Sequence, residues 1–177
     1  SSVAITTAAP TIPKGADLTL ATVGTFSDTS TEVLGNLSWA STWTSSSTSV
    51  ATVNASGVVF IDDAAAVGSQ STITVTTPVE SGSSVTVSGT VVVTVGQPIL
   101  ETLTLSASET SVPVGTTQQV SVAGVLSDTS TTLLTTQVWS SGDTSIATVD
   151  NGGLVTIKPD ATVGDTVVIE LKALELP

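Results

Sequence analysis

The chain writes the same pattern twice. "TIPKG" (residues 11–15) returns as "SVPVG" (111–115), and "ATVGTFSDTST" (21–31) returns as "SVAGVLSDTST" (121–131), both 100 residues on. Further along the offset is 96. "WTSSSTSVATV" (43–53) pairs with "WSSGDTSIATV" (139–149), "GVVFI" (57–61) with "GLVTI" (153–157), and "AVGSQSTITV" (66–75) with "TVGDTVVIEL" (162–171). Similarity at a fixed period marks a repeated structural unit, and it limits the fold more than any local pattern does. The change of offset (100 − 96 = 4) places four extra residues of repeat one around "LSWAS", so Trp39 has no counterpart. Loops and sheet edges tolerate such insertions.

The period within each repeat is that of a strand. "DLTLATVGTF" and "STITVTT" alternate apolar with small polar residues, and "SGTVVVTVG" is a nearly continuous β-branched run. Seven strand candidates fit repeat one, near 3–7, 17–26, 37–44, 50–53, 58–61, 71–77 and 88–95. Strands of this length, punctuated by Gly, Asp, Asn and Ser, predict an all-β fold of immunoglobulin-like β-sandwiches. No window holds a helical stripe; "DDAAAVG" (62–68) reads as a loop with one turn. The domains are expected at 1–97 and 98–177, joined near "VGQPIL" by a linker short enough to give a stiff rod.

"SDTST" falls between the second strand and the Trp-bearing strand in both repeats. Asp28 and Asp128 are placed to accept hydrogen bonds from backbone N–H groups two residues on. Asp-Thr in place of Asp-Gly disfavours a tight turn needing positive φ and favours a longer loop around a type I turn.

The order Pro-x-Gly, strand, "SDTST", "WTSSSTSVATVNASGVV", "AVGSQSTITV" resembles the bacterial immunoglobulin-like domain group 2 (Big_2) family, in two tandem copies. That family's middle reads Trp-x-Ser-Ser-x-x-x-Ser-Val-Ala-x-Val, then Gly-x-Val. Trp43, Ser45, Ser46, Ser49, Val50, Ala51, Val53, Gly57 and Val59 match it, as do Trp139, Ser141, Ser145, Ile146, Ala147, Val149, Gly153 and Val155. The resemblance implies a module of bacterial surface proteins, adhesins and phage virion proteins that spaces, presents or assembles other parts. One departure stands out. Repeat one continues past Val75 through "PVESGSSVTVSGTVVVTVG", whereas repeat two ends at "LKALELP", so the second sandwich is expected to lack its last strand. A sandwich without that strand has an unpaired edge and an open core. Three readings follow: a fragment, a site completed by another chain through β-augmentation, or closure by residues 173–176.

Charge narrows the partners. Fifteen acids stand against three lysines, with a net charge of −12, so the basic footprint that nucleic acid requires is missing. An anionic membrane surface would repel the chain for the same reason. No apolar run is long enough to span a bilayer, and no charged-then-apolar leader opens the chain, so export would rest on a signal outside it.

Catalytic chemistry finds no footing. Without His or Cys, the Ser–His–Asp and Cys–His arrangements are impossible. Lys14 and Lys158 sit beside prolines in turns and read as solvated. Asp62 and Asp63 are adjacent, which in an extended strand puts them on opposite faces. No enzyme, catalytic residue, cofactor-binding residue or metal ligand is therefore assigned. Calcium is the one cofactor left open, through Asp143, Asp150, Asp160 and Asp165 gathering at one end of repeat two; solvated loop acids are the default. Trp43 and Trp139 occupy equivalent strand positions and read as core anchors, with Val50, Ala51, Val53, Ile146, Ala147 and Val149 beside them. Trp39 is the candidate surface contact, to a protein or a glycan. The leading expectation is a non-enzymatic extracellular structural or adhesive module on a cell surface, filament or virion. It would self-associate or bind neighbouring subunits through strand edges. The alternative is a carbohydrate-binding accessory module built on Trp39.

Overall fold

A computed structural model of the chain describes residues 1–36, 41–132, 134 and 137–173. Among these the chain is all-β: seventeen strands and a single 3-10 turn, Leu34–Asn36. Contacts divide it into two units. The first is Ser1–Ile99 with Ser127–Thr129, and the second is Leu100–Leu126 with Ser130–Pro177.

Unit 1 holds β1 (Ser2–Ile5), β2 (Thr11–Pro13), β3 (Asp17–Thr19), β4 (Thr22–Thr25), β5 (Thr31–Val33), β6 (Thr42–Ser45), β7 (Ala51–Val53), β8 (Val58–Ile61), β9 (Gln70–Pro78) and β10 (Thr86–Gly96). One layer is the sheet β2-β10-β9-β6; facing it are β3-β8-β7 and β1-β4-β5. The alternation read from the sequence explains the layering. In β9 the odd positions Ser71, Ile73, Val75 and Thr77 are buried, while the even ones are exposed at Gln70 and half-buried after it, because successive side chains point to opposite faces. Val91, Val93 and Val95 of β10 do the same, and they join Ile12, Ala51, Val59, Ile61 and Ile73 in one core.

The expected single strand over 17–26 is broken at Leu20–Ala21. There Leu20 N bonds Gly57 O and Ala21 N bonds Thr7 Oγ1, so the chain passes from β8's sheet to β1's. The strand expected over 37–44 is seen only from Thr42, and residues 37–40 lie outside the described set.

Unit 2 holds β11 (Leu100–Ala107), β12 (Thr117–Leu126), β13 (Thr131–Thr132), β14 (Gln137–Ser141), β15 (Ala147–Val149), β16 (Leu154–Ile157) and β17 (Ile169–Ala173). The order β11-β12-β16-β15 forms one sheet, and β14 pairs β17 in the other. The β14–β17 register sets Trp139 opposite Leu171, as the β6–β9 register sets Trp43 opposite Val75. Among the described residues β17 has no second neighbour, whereas its equivalent β9 lies between β6 and β10. The core is correspondingly thin: Val122, Leu134 and Trp139 form its buried cluster.

Candidate functional site

Each repeat's Trp is seated on a glycine. Gly57 and Gly153 both adopt left-handed backbone, φ 76° and 78°. A Cβ on Gly57 would lie 2.6 Å from Trp43 Cζ2, and one on Gly153 would lie 2.5 Å from Val120 O and 3.1 Å from Trp139 Cζ2. Glycine is therefore required twice over at each site, for backbone and for space. Trp139 is buried, and its Nε1 donates to Gln137 Oε1 at 3.0 Å. Trp43 is half-buried against both core clusters of unit 1. Ala51 and Ala147 are fully buried; Val50, Val53, Ile146 and Val149 are half-buried. Trp39 lies outside the described residues.

The serines after Trp43 form a corner rather than a nucleophile site. Ser71 is buried; its Oγ lies 2.8 Å from Ser45 Oγ and accepts from Ser47 N at 3.1 Å, while Ser45 Oγ donates to Ala51 O at 2.6 Å. Each hydroxyl is committed to holding the turn that leads from β6 to β7.

Asp143, Asp150 and Asp165 are turn caps. Asp143 Oδ1 accepts from Ser145 N and Ser145 Oγ, Asp150 Oδ1 from Gly152 N and Leu154 N, and Asp165 Oδ2 from Thr162 N. Asp62 Oδ1 caps Ala64 N in the same way. The Ser145 hydroxyl and amide hold the Asp143 carboxyl below its ordinary range, as those of Ser30 do for Asp28. Among the described residues no three acidic side chains gather as a metal site. Lys14, expected to be solvated, has its Nζ 3.2 Å from Asp128 Oδ2 within unit 1.

"SDTST" is a three-residue hairpin loop in both copies. Thr29 N bonds Phe26 O, Phe26 N bonds Ser30 O, and Ser30 N bonds Asp28 Oδ1 at 3.0 Å. The expected type I turn and Asx acceptor at Asp28 are present, but Thr29 and Thr129 take positive φ, 68° and 63°. The argument against positive φ from the missing glycine fails here. A type I turn closed by a left-handed residue is what a three-residue hairpin loop requires, and threonine occupies that position at a steric cost.

A cavity of about 560 Å³ lies in unit 2, with walls that include Val112, Val114, Ile146, Ile157, Ala161 and Val163. Their equivalents in unit 1 close on β10. There Val95 N bonds Ser69 O, Gly68 N bonds Val95 O, Thr94 N bonds Pro10 O, and β2 pairs β10 in parallel through Thr11–Pro13. Residues 111–113, the counterpart of β2, form no strand. Exposure follows: Val3 is 7 % exposed but its counterpart Leu103 37 %, and Val67 46 % but Val163 87 %. The sequence reading expected an open core but, of these wall residues, named only Ile146, as a core anchor. One signal was available: buried Ser71 of repeat one is Val167 in repeat two, an apolar residue on a wall otherwise held by a serine network.

The Trp–Gly pair, the Gly-x-Val strand and the Asp-capped turn of unit 2 all fall in one segment. Residues 99–166 match the family model of the bacterial Ig-like domain (group 2). The match covers one copy. The chain is also 34% identical over 156 residues to "Ice-binding protein 1" of Shewanella frigidimarina (strain NCIMB 400), an alignment covering 88% of this chain and 16% of that protein. The chain thus spans about a sixth of the length of the curated relative it matches. Among solved structures, the S-layer protein rSbsC aligns over 97% of this chain and 26% of its own, at 19% identity and TM-score 0.39. Drosophila N-cadherin EC1-4 aligns over 97% and 45%, at 13% identity and TM-score 0.35. Likenesses at these scores have no bearing on function.

Proposed function

We propose that the chain is a non-enzymatic extracellular structural module. In this reading it consists of two tandem Ig-like sandwiches, at 1–97 and 98–177, that space and assemble the parts of a longer surface polypeptide. The observation that carries the reading is the repetition itself. The same Trp–Gly seat and capped turns are built twice, while the hydroxyls and carboxylates nearest to chemistry are spent on holding turns. The relative supports the longer polypeptide, since this chain corresponds to a sixth of its length. That relative is named for binding ice. For this chain we place the Ig-like units in the stalk, with any such ligand met by another part of the polypeptide. Assembly with neighbours would use exposed strand edges.

The test is a replacement experiment in the full polypeptide. Deleting residues 1–177 should leave ligand affinity in solution unchanged but shorten the reach of surface-displayed protein. Substituting two unrelated Ig-like units of equal length should restore that reach. If equal-length replacement fails, or if deletion abolishes ligand affinity, the module is not a spacer.

A further inference from the structure

We propose that Asn151 is a self-modification site: the main-chain nitrogen of Gly152 displaces the side-chain amide of Asn151, and Asp150 and Gln119 set the rate. The inference goes beyond the spacer reading and does not rest on it. Asn151 and Gly152 form the tip of the hairpin between β15 and β16. Asp150 N bonds Leu154 O and Gly153 N bonds Asp150 O, both at 3.1 Å, and Gly153 takes positive φ, 78°. This is the same three-residue hairpin loop that closes SDTST. Asn151 is exposed, and none of the described residues holds its side-chain amide. Gly152 is exposed too, and it has no Cβ to shield its nitrogen.

The reaction needs water and nothing else. Gly152 N gives its proton to solvent hydroxide and forms a bond to Asn151 Cγ. The bond from Cγ to the side-chain nitrogen breaks, and that nitrogen leaves as ammonia. The product is a five-membered succinimide. Water then adds to one of its two carbonyl carbons. Breaking the new Cγ–N bond restores the ordinary main chain with aspartate at 151. Breaking the original C–N bond leaves the chain running through the side chain, as isoaspartate. Either product adds one negative charge to a chain of net charge −12.

Two contacts hold the attacking residue back. Gly152 N donates to Asp150 Oδ1 at 2.8 Å, and Gln119 Nε2 donates to Gly152 O at 2.7 Å. The nitrogen must leave Asp150 before it can approach Asn151 Cγ. Hydrogen bonds to a charged acceptor are the strong class, so removing this one raises the population of released turns about tenfold or more. Repeat one lacks the site. The counterparts of Asp150, Asn151 and Gly152 are Asn54, Ala55 and Ser56. Asn54 Oδ1 is itself the cap, accepting from Ser56 N at 2.9 Å and Val58 N at 3.1 Å, and the residue after it carries a Cβ. The change therefore falls on unit 2. An isoaspartyl link lengthens the main chain by one carbon immediately before Gly152 and Gly153. Gly153 has no room to absorb it, since even a Cβ there would lie 2.5 Å from Val120 O and 3.1 Å from Trp139 Cζ2. Conversion loosens the seat of Trp139.

The test incubates the whole chain in mildly alkaline buffer, folded and in urea, and maps peptides by mass over time. The folded chain should gain aspartyl and isoaspartyl forms at Asn151 and none at Asn54. Asp150→Ala should speed conversion of the folded chain about tenfold or more, and Asp150→Asn, which restores the cap that Asn54 provides, should fall between it and wild type. Gly152→Ala should slow conversion at least about tenfold, folded or unfolded, because a Cβ shields the nitrogen. In urea the Asp150 variants should convert at the wild-type rate. Anion exchange then separates the converted chain by its added charge, and its isoaspartyl form should exchange amide hydrogens faster across β15 and β16. The proposal is overturned if Asn151 stays intact in the folded chain after the unfolded chain has converted. It is overturned equally if Asp150→Ala leaves the folded rate unchanged, or if its rate differs from wild type in urea as much as in the folded state. Unchanged exchange in the isoaspartyl form overturns the effect on the Trp139 seat.

Discussion

Gly57→Ala isolates what the Trp–Gly seat contributes. Two penalties combine at this position. The first is backbone: alanine at φ 76° costs about 1 kcal/mol. The second is space: carbon atoms rest about 3.5–4.0 Å apart, and the new Cβ would sit 2.6 Å from Trp43 Cζ2. The indole is half-buried between two core clusters and cannot swing clear without disturbing them. Overpacking of this kind costs about 1–3 kcal/mol, for a total of about 2–4 kcal/mol. Gly68→Ala is the control. It has φ 86° and nothing within 4 Å of its Cβ, so it carries the backbone penalty alone. At about 4–8 °C per kcal/mol for a domain of this size, Gly57→Ala should lower the unit 1 transition on the order of 15 °C and Gly68→Ala on the order of 5 °C. Thermal and urea unfolding, with hydrogen exchange to assign the transition to unit 1, measures both. Trp43→Phe removes the ring atoms that collide, so in that background Gly57→Ala should cost no more than Gly68→Ala. If the two alanine variants lose equal stability in the wild-type background, the ring contact is irrelevant and the seat is only a turn.

Four further outcomes follow from the same geometry. Thr29→Asn should stabilise unit 1 by about 1 kcal/mol, because asparagine tolerates the left-handed backbone that a β-branched residue resists; urea midpoints check it. Val93→Ala, at a site with no exposure, should cost about 2 kcal/mol, whereas Val168→Ala, 65 % exposed in unit 2, should stay within about 0.5 kcal/mol. Asp28 and Asp143 have folded-state carboxyls depressed below the ordinary 3.8. Their contribution is therefore present above that pH and is lost as pH falls through the folded value; Asp143→Asn should flatten the acid limb of a stability–pH curve. With fifteen acids and three lysines, added sodium chloride should raise the melting temperature between low and physiological ionic strength, as screening weakens self-repulsion.

Much of the fold was legible because strand burial alternates with period two. "STITVTT" reads correctly as β9, and its inward Ile73 and Val75 are fully buried. The shared offset of 96 for both strands agrees with the matching registers of β6–β9 and β14–β17. Two features escaped for physical reasons. The break at Leu20–Ala21 depends on hydrogen bonds to Gly57 and Thr7, which are distant in sequence, and "LTLAT" alternates straight through it. The positive φ of Thr29 follows from hairpin geometry, which overrides the residue's own preference; local propensity points the other way. The loop acids were readable as acids, but their use as caps depends on the amides two residues on, which only the turn brings into range.

The two units show how far one sequence signature fixes a core. Trp139, Gly153, Ala147 and Val155 repeat Trp43, Gly57, Ala51 and Val59 almost residue for residue. Ala147 is as deeply placed as Ala51, Val155 is buried though less completely than Val59, and Trp139 is buried more deeply than Trp43. Ile157 and Ala161 copy Ile61 and Ala65 just as faithfully, yet they line a cavity where the originals are buried. The difference does not lie in these residues. Val59 and Ala51 are covered by strands close to them in the chain, while Ile61 and Ala65 also need Val93 and Val95 of a strand about thirty residues further along. A conserved-looking core residue therefore reports burial only when its covering element is specified too.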